Sequence, residues 1–196
     1  MVKKAKKGAQ IQVDEKKGHL FLGDRDLRLL MLRPIDLIEF NEFAGPNAED
    51  IIIWVGKTIG KYFLENIYPE EDWSDVKMSV RKKVIQNSLG VFELLGYGVL
   101  NLFVKKEQII FSVEDPLTSD EKENIMAKNL CFFYQGLFNG ILEVLDIDAD
   151  GQEIRCFLLG DEACVFQFDL LIDEFEDADV DKEADKPQIS SFLSSL

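Results

Sequence analysis

Hydrophobic and polar positions repeat at two different periods along this chain, and the change of period separates strands from helices. Residues 11–22 alternate around Lys17-Gly18, which predicts an edge hairpin. Pro34 suits the first position of a helix. Thr118 with Glu121 forms a capping-box pattern that predicts the start of a long helix. The predicted helices span residues 34–43, 49–68, 74–95 and 118–145, and the predicted strands span residues 99–104, 108–113, 153–159 and 164–172.

The order of these elements predicts the fold class. Strands that pair with their neighbours in sequence, with helices between the hairpins, indicate an α+β fold. We expect an antiparallel sheet of about four strands packed against helices. The 196 residues, 46% of them hydrophobic, suit one domain, predicted to span residues 11–172.

The charge of the chain limits its partners. The net charge is −15. Residues 1–10 form a lysine-rich arm, and residues 173–196 form an acidic tail; we expect both segments to be disordered. The remaining body is still acidic, which disfavours nucleic acid and anionic lipid surfaces. Three cysteines, an odd number, and no apolar stretch long enough for a membrane span predict a reducing, cytoplasmic location.

Two of the cysteines lie on either side of a predicted turn. Apolar residues flank Leu159-Gly160-Asp161, which predicts a hairpin with Gly160 at its tip. Cys156 and Cys164 then lie opposite each other, with Cβ atoms about 5 Å apart. Two thiols on one face, preceded by the carboxylate of Glu153, are typical of part of a metal site.

The third cysteine, Cys131, lies on the long helix and could meet this pair. Three thiolates and Glu153 supply the four ligands that Zn²⁺ prefers, with no open position for catalysis. Because positions three apart on a straight strand face opposite sides, Glu153 is expected to lie in a turn before the strand, at Asp150-Gly151. The alternative is three ordinary buried cysteines.

Several motifs resemble the 4-vinyl reductase domain family over about residues 18–172. They are Leu32-Arg33-Pro34-Ile35-Asp36-Leu37, Val55-Gly56-Lys57-Thr58-Ile59-Gly60, Gly136-Leu137-Phe138-Asn139-Gly140, Glu153-x-x-Cys156 and Gly160-Asp161-x-x-Cys164-x-Phe166. The superfamily includes phenol-sensing domains of transcription activators and core subunits of TRAPP, the vesicle-tethering particle. In the phenol sensors a Cys, a Glu-x-x-Cys and a further Cys bind zinc. The resemblance therefore implies a structural zinc on Cys131, Glu153, Cys156 and Cys164.

The resemblance also implies a function. Family members are typically dimers with an apolar ligand cavity, so we expect a non-enzymatic sensor that binds a hydrophobic small molecule or lipid as a homodimer. The alternative is a TRAPP-like scaffold subunit of a protein assembly or membrane-trafficking complex. Residues 1–130 lack the cysteine that some TRAPP subunits acylate, which excludes lipid attachment by that route. Aromatic residues proposed to line the cavity are Trp54, Phe63, Phe92, Tyr134 and Phe138.

Three other signals have ordinary explanations. Asp146-x-Asp148-x-Asp150-Gly151 imitates half of a calcium-binding loop, but the twelfth position is phenylalanine rather than glutamate, which favours a plain turn. Paired glycines four residues apart on two helices favour close helix packing over space for a ligand. The single histidine, and the absence of phosphate-binding and dinucleotide motifs, favour a protein that is not an enzyme.

Overall fold

The computed structural model describes residues 11–22, 27–69, 72–121 and 124–171. The predicted arm (1–10) and tail (173–196) lie outside these ranges. The strands are β1 (Ile11–Asp14), β2 (His19–Leu22), β3 (Arg28–Leu29), β4 (Val99–Val104), β5 (Gln108–Glu114), β6 (Ala149–Arg155) and β7 (Cys164–Leu170). The helices are α1 (Pro34–Ala44), α2 (Ala48–Ile67), α3 (Met78–Leu94) and α4 (Asn129–Val144).

The strands form two antiparallel sheets. β1, β2 and β3 make a small sheet, and the predicted hairpin turn is present at Gly18, whose φ is 65°. The main sheet has the order β4-β5-β7-β6. This arrangement confirms the predicted α+β class with a four-stranded antiparallel sheet. No helix within the described ranges has both the length and the apolar character to span a bilayer.

Helix α4 forms the centre of the core because both of its sides are covered. On one side it packs against the sheet, where the rings of Phe111 and Phe138 stack with centroids 4.2 Å apart. On the other side it packs against α2. Ten of its residues are buried, and its polar residues Gln135, Asn139 and Glu143 share the remaining side.

Glycines allow the backbones of α2 and α4 to touch. A Cβ atom added at Gly136 would lie 2.1 Å from the carbonyl oxygen of Ile53, and one at Gly56 would lie 2.1 Å from that of Phe133. Gly60 and Gly140 make equivalent contacts one turn further along. Such approaches leave no space for a side chain, so the prediction of close helix packing at these glycines is confirmed.

Two predicted helix starts are wrong. α3 begins at Met78 rather than Ser74, because the buried guanidinium of Arg81 donates hydrogen bonds to the carbonyl oxygens of Ser74, Val76 and Asp146. These bonds hold the preceding turn outside the helix. Arg81 also fixes the turn at Asp146, which leads from α4 into β6.

α4 begins at Asn129 rather than Thr118. The segment before it contains two short 3-10 turns, Ser119–Glu121 and Ile125–Lys128. The capping box does not form in the described structure: the buried Thr118 hydroxyl has no hydrogen-bond partner, and Asn124 caps the second turn by accepting from the Met126 backbone N–H at 3.0 Å. Tertiary packing thus outweighed the local capping pattern at Thr118 and Glu121.

The last hairpin is shifted from its predicted position. Its first strand spans residues 149–155 rather than 153–159, so Asp150-Gly151 lies within β6 and not in a turn. Residues 157–159 form a 3-10 turn, and Gly160 follows it with a φ of 101°. The connection is therefore eight residues long, from Cys156 to Ala163, and its first three side chains, Cys156, Phe157 and Leu158, pack into the core.

Candidate metal centre

A β-bulge in β6 brings Cys156 to the same side of the chain as Glu153. Glu153 pairs with Phe166, whereas Arg155 pairs with Val165, so one extra residue, Ile154, is inserted between them. A bulge changes which side of the strand the following residues face. Glu153 and Cys156 can therefore project to the same side although they are three apart. The prediction that Glu153 lies in a turn is wrong. The bulge, rather than a turn, allows Glu153 and Cys156 to face the same side.

The two hairpin cysteines lie at the ends of their strands. Cys156 directly follows β6, and Cys164 is the first residue of β7, where it pairs with Val113 of β5. Both thiols are buried, with Cys156 3% exposed and Cys164 fully enclosed. Both sulfur atoms therefore lie in the core, on the inner side of the sheet.

Cys131 reaches the same point from the helix. It is the third residue of α4, and its side chain is buried. Its Sγ atom lies 3.6 Å from that of Cys156 and 3.9 Å from that of Cys164. The predicted meeting of helix and hairpin thiols is thus present in the structure.

The four donor atoms have the spacing of a tetrahedral metal site. One ligand atom from each of Cys131, Glu153, Cys156 and Cys164 lies within 4.8 Å of all the others. A tetrahedron with metal–sulfur bonds of about 2.3 Å has sulfur–sulfur edges of about 3.8 Å. The two thiol distances of 3.6 and 3.9 Å match such edges.

Glu153 is the member of the cluster whose hydrogen bonding is incomplete. Its Oε1 atom is buried and has no hydrogen-bond partner. Burial raises the pKa of this carboxyl group, while contacts with the three thiols lower it less strongly. A buried, unpaired carboxylate oxygen is costly unless something satisfies it. A cation between Glu153 and the thiols would satisfy it.

Two of the thiols, those of Cys131 and Cys156, are held in their neutral form when no cation is present. The contact with Cys164, followed by burial, raises the pKa of Cys131 far above its ordinary value. Burial, and then the charge of Glu153, raises the pKa of Cys156. All three cysteines are free thiols. A dication would reverse these shifts because it stabilises each thiolate.

Two backbone hydrogen bonds shape the loop that carries Cys156, and the sequence did not reveal them. The Cys156 N–H donates to Asp161 Oδ2 at 2.9 Å, and the Phe157 N–H donates to Cys164 Sγ at 3.5 Å. Asp161 also lies 3.8 Å from the guanidinium of Arg155. The Gly160-Asp161 pair before Cys164 was the available signal, although nothing in it assigned a role to Asp161.

The predicted cavity residues divide into two groups. Phe63, Phe92, Tyr134 and Phe138 are buried, and the rings of Phe63 and Phe92 lie 4.5 Å apart. Trp54 does not join them, because it is 65% exposed on the outer side of α2. Tyr97 contacts the buried group: its ring lies 5.4 Å from that of Phe92, and its carbonyl oxygen accepts a hydrogen bond from the Tyr134 hydroxyl at 2.8 Å.

The three aspartates of the calcium-like segment do not gather. Asp146 lies in the turn after α4 with a φ of 56°, and Asp150 lies in β6 paired with Asp169. In the described part of the chain, the cysteine cluster is the one group of three or more potential ligands that are close together.

Comparisons with known proteins find similarity in structure rather than in sequence. No family model matches the chain, and no curated protein matches it. The phenol-responsive sensory domain of the transcription activator PoxR, solved with phenol, superposes with a TM-score of 0.59 at 11% identity, covering 94% of this chain and 90% of that one.

Two other solved structures are similar to a lesser degree. An H-NOX protein from S. oneidensis has a TM-score of 0.48 at 14% identity, covering 76% of this chain and 82% of that one. A trafficking protein particle complex subunit 3 from Naegleria fowleri, covalently bound to palmitic acid, has a TM-score of 0.41 at 12% identity, covering 74% of this chain and all of that one. The fold of the chain is therefore that of the phenol-responsive sensory domain.

Proposed function

We propose that the cluster binds one structural zinc ion through Cys131, Glu153, Cys156 and Cys164. The observation that carries this proposal is the convergence of three thiols and an unpaired buried carboxylate oxygen, within 4.8 Å of one another. Sulfur-rich, four-ligand, tetrahedral sets are typical of structural zinc. Bound zinc would supply a crosslink between α4 and the β6–β7 hairpin, with no open position for a reacting water.

We further propose that the domain is a non-enzymatic sensor of a hydrophobic small molecule or lipid, acting as a homodimer in a reducing, cytoplasmic setting. Two observations support this. The fold is shared with a phenol-responsive sensory domain over nearly the whole chain. A cluster of aromatic rings also lies between the helices, at Phe63, Phe92, Tyr97 and Phe133. Such apolar groups, with the Tyr134 hydroxyl nearby, suit a small aromatic ligand.

The alternative function is a scaffold subunit of a protein assembly. Large apolar side chains on the outside of the fold favour it, including Phe43 at 93% exposed and Trp54 at 65% exposed. Exposed apolar groups that cluster mark interaction surfaces. Both functions require the same folded domain, so binding experiments must separate them.

The metal proposal is tested by zinc content and stability. Protein purified without added metal should carry one zinc per chain, and Cys156→Ser should lose it and melt at a lower temperature. Glu162→Gln is the matched control, because Glu162 is exposed in the same loop and lies outside the donor cluster. Zinc bound equally well by Cys156→Ser would contradict the ligand assignment.

The sensing proposal is tested by calorimetry with phenol and with a sixteen-carbon fatty acid as probes. We expect one of them to bind saturably to the zinc-loaded protein, at least about tenfold more weakly in Phe92→Leu. Phe43→Leu is the control, because it makes the same change at an exposed position. If neither probe binds, or Phe92→Leu binds as well as the native protein, the sensor proposal is wrong and the scaffold is favoured.

A further inference from the structure

Exposed apolar side chains concentrate in one short part of the chain. Residues 30–43 contain five of the fourteen large apolar side chains that are exposed within the described ranges. They are Leu30 at 83%, Met31 at 79%, Leu32 at 59%, Phe40 at 51% and Phe43 at 93% exposed. Single exposed apolar residues are ordinary, but this density marks an interaction surface.

Helix α1 has two different sides. Its inner side carries the fully buried Ile38, which packs with Ala127 and Leu130. Its outer side carries Phe40 and Phe43, which are three residues apart and therefore neighbours on the helix surface. We call Glu39, Phe40, Glu42 and Phe43, all of them exposed, the acidic-aromatic face. The inner contacts fix the helix, so the outer phenylalanines are not needed to hold it.

The charges around this face indicate what can cover it. From Pro34 to Gly56 the sequence contains five acidic residues and no lysine, arginine or histidine. The five are Asp36, Glu39, Glu42, Glu49 and Asp50. Arg33 at the start of α1 is paired with Asp36, and the charges beside the phenylalanines on the helix itself are negative. This favours an occupant that is both apolar and positively charged. An anionic lipid surface would be repelled.

A second copy of the chain also fits this face poorly. In a symmetric dimer the same patch from both subunits meets itself. Pairing the face with itself would therefore bring Glu39 and Glu42 of both copies together. The outer side of α2 differs, because Lys57 and Lys61 lie there with Trp54 and Tyr62. Self-association is better served by that mixed surface.

We propose that the acidic-aromatic face of α1 is the docking site for a basic amphipathic helix of a partner protein. The eleven residues of α1 form about three turns, a length of about 16 Å, which suits a short helical segment. Leucine-type side chains of the partner cover Phe40 and Phe43, while its lysines or arginines lie beside Glu39 and Glu42. This surface does not depend on the metal site or on a ligand in the core.

The test uses a fluorescein-labelled eighteen-residue peptide in which leucine and lysine alternate at helical spacing. We expect it to bind the full chain, with affinity falling as salt is raised. The same pattern with glutamate in place of lysine should not bind. A peptide of residues 1–10 of this chain tests whether its own lysine-rich arm occupies the site instead. Tighter binding of that peptide than of the amphipathic one would overturn the partner assignment.

Two pairs of variants locate the binding. Phe40→Ser with Phe43→Ser should weaken the peptide at least about tenfold, and Glu39→Lys with Glu42→Lys should weaken it and reduce the salt dependence. Controls on α2 are Trp54→Ser and Glu65→Lys, both exposed. Because the replaced side chains are exposed, melting temperatures should stay within a few degrees. Equal losses in the α2 controls would overturn the proposal.

Two further outcomes would also overturn it. If the phenylalanine variants convert a dimer into a monomer in light scattering, the occupant is a second copy. If instead they abolish binding to phosphatidylcholine vesicles while peptide binding persists, the face docks on a membrane. Peptide binding that depends on Phe40 and Phe43, in a protein whose subunit number is unchanged, supports the proposal.

Discussion

The two sides of α4 are held in different ways. Toward α2, glycines bring backbone onto backbone, and the contact is complete without any other group. Toward the β6–β7 hairpin, three thiols and Glu153 converge, and a buried carboxylate oxygen is left without a partner. One side depends on shape alone, whereas the other side gathers four side chains that could hold a metal ion. Side chains can therefore lie close together and still leave a buried polar atom without a hydrogen-bond partner.

The largest expected effect comes from a substitution that breaks the backbone contact between α2 and α4. Gly136→Ala places a Cβ atom 2.1 Å from the Ile53 carbonyl oxygen, so the helices must separate. We expect the free energy of unfolding to fall by about 3 kcal/mol or more, measured by urea denaturation with zinc held constant.

Gly90→Ala is the matched control for this change. Gly90 is exposed in α3, and a Cβ atom there meets nothing within 4 Å. It should gain about 0.5–1 kcal/mol, because alanine is the better helix former. Similar losses at both glycines would show that helix contact is not the cause.

The next effect concerns the side of α4 that carries the proposed metal ligands. Cys131→Ser should lower the free energy of unfolding of zinc-loaded protein by about 2–3 kcal/mol, because it removes the ligand that joins α4 to the hairpin. A chelator should destabilise the native protein by a similar amount and leave Cys131→Ser unchanged. Additive effects of chelator and mutation in thermal melts would contradict the shared site.

A smaller effect is expected in the loop around the cysteines. Asp161→Asn weakens the acceptor for the Cys156 N–H, which positions that ligand. Zinc affinity should fall by about 10- to 100-fold, as is usual for groups that orient a ligand. The measurement is competition with a coloured chelator. An unchanged affinity would mean that Asp161 only pairs with Arg155.

The smallest expected effect is a pH-dependent difference in stability between the native protein and Glu153→Gln, both without metal. Burial raises the pKa of Glu153 in the folded state, so its neutral form is favoured. Its contribution to stability is present at low pH and is lost as pH rises through the folded-state pKa. Glu153→Gln should therefore match the native protein at low pH and exceed its stability near pH 7, in metal-free urea melts. Parallel curves at all pH values would contradict this.

Local patterns predicted the elements better than their boundaries. The glycines on α2 and α4 predicted helix contact because four-residue spacing places them on one side of a helix. The starts of α3 and α4 depend on Arg81 and on the packing of residues 118–128, which are long-range effects that no local window contains. Apolar runs therefore located these helices and their last residues, but local patterns did not locate their first residues.

The donor residues could be predicted, but the way they meet could not. Cys131, Glu153, Cys156 and Cys164 do come together. The bulge at Ile154 could not be predicted, because an inserted residue changes strand pairing without changing composition. Trp54 shows the opposite error, since an aromatic residue at helical spacing need not face the core.

The most direct test of the central claim is X-ray absorption at the zinc edge of the purified native protein. We predict one zinc per chain with three sulfur neighbours at about 2.3 Å and one oxygen neighbour at about 2.0–2.2 Å. In Glu153→Gln the three sulfur neighbours should remain while that oxygen shell changes. Protein without bound metal, or a first shell with fewer than three sulfur atoms, would contradict the account.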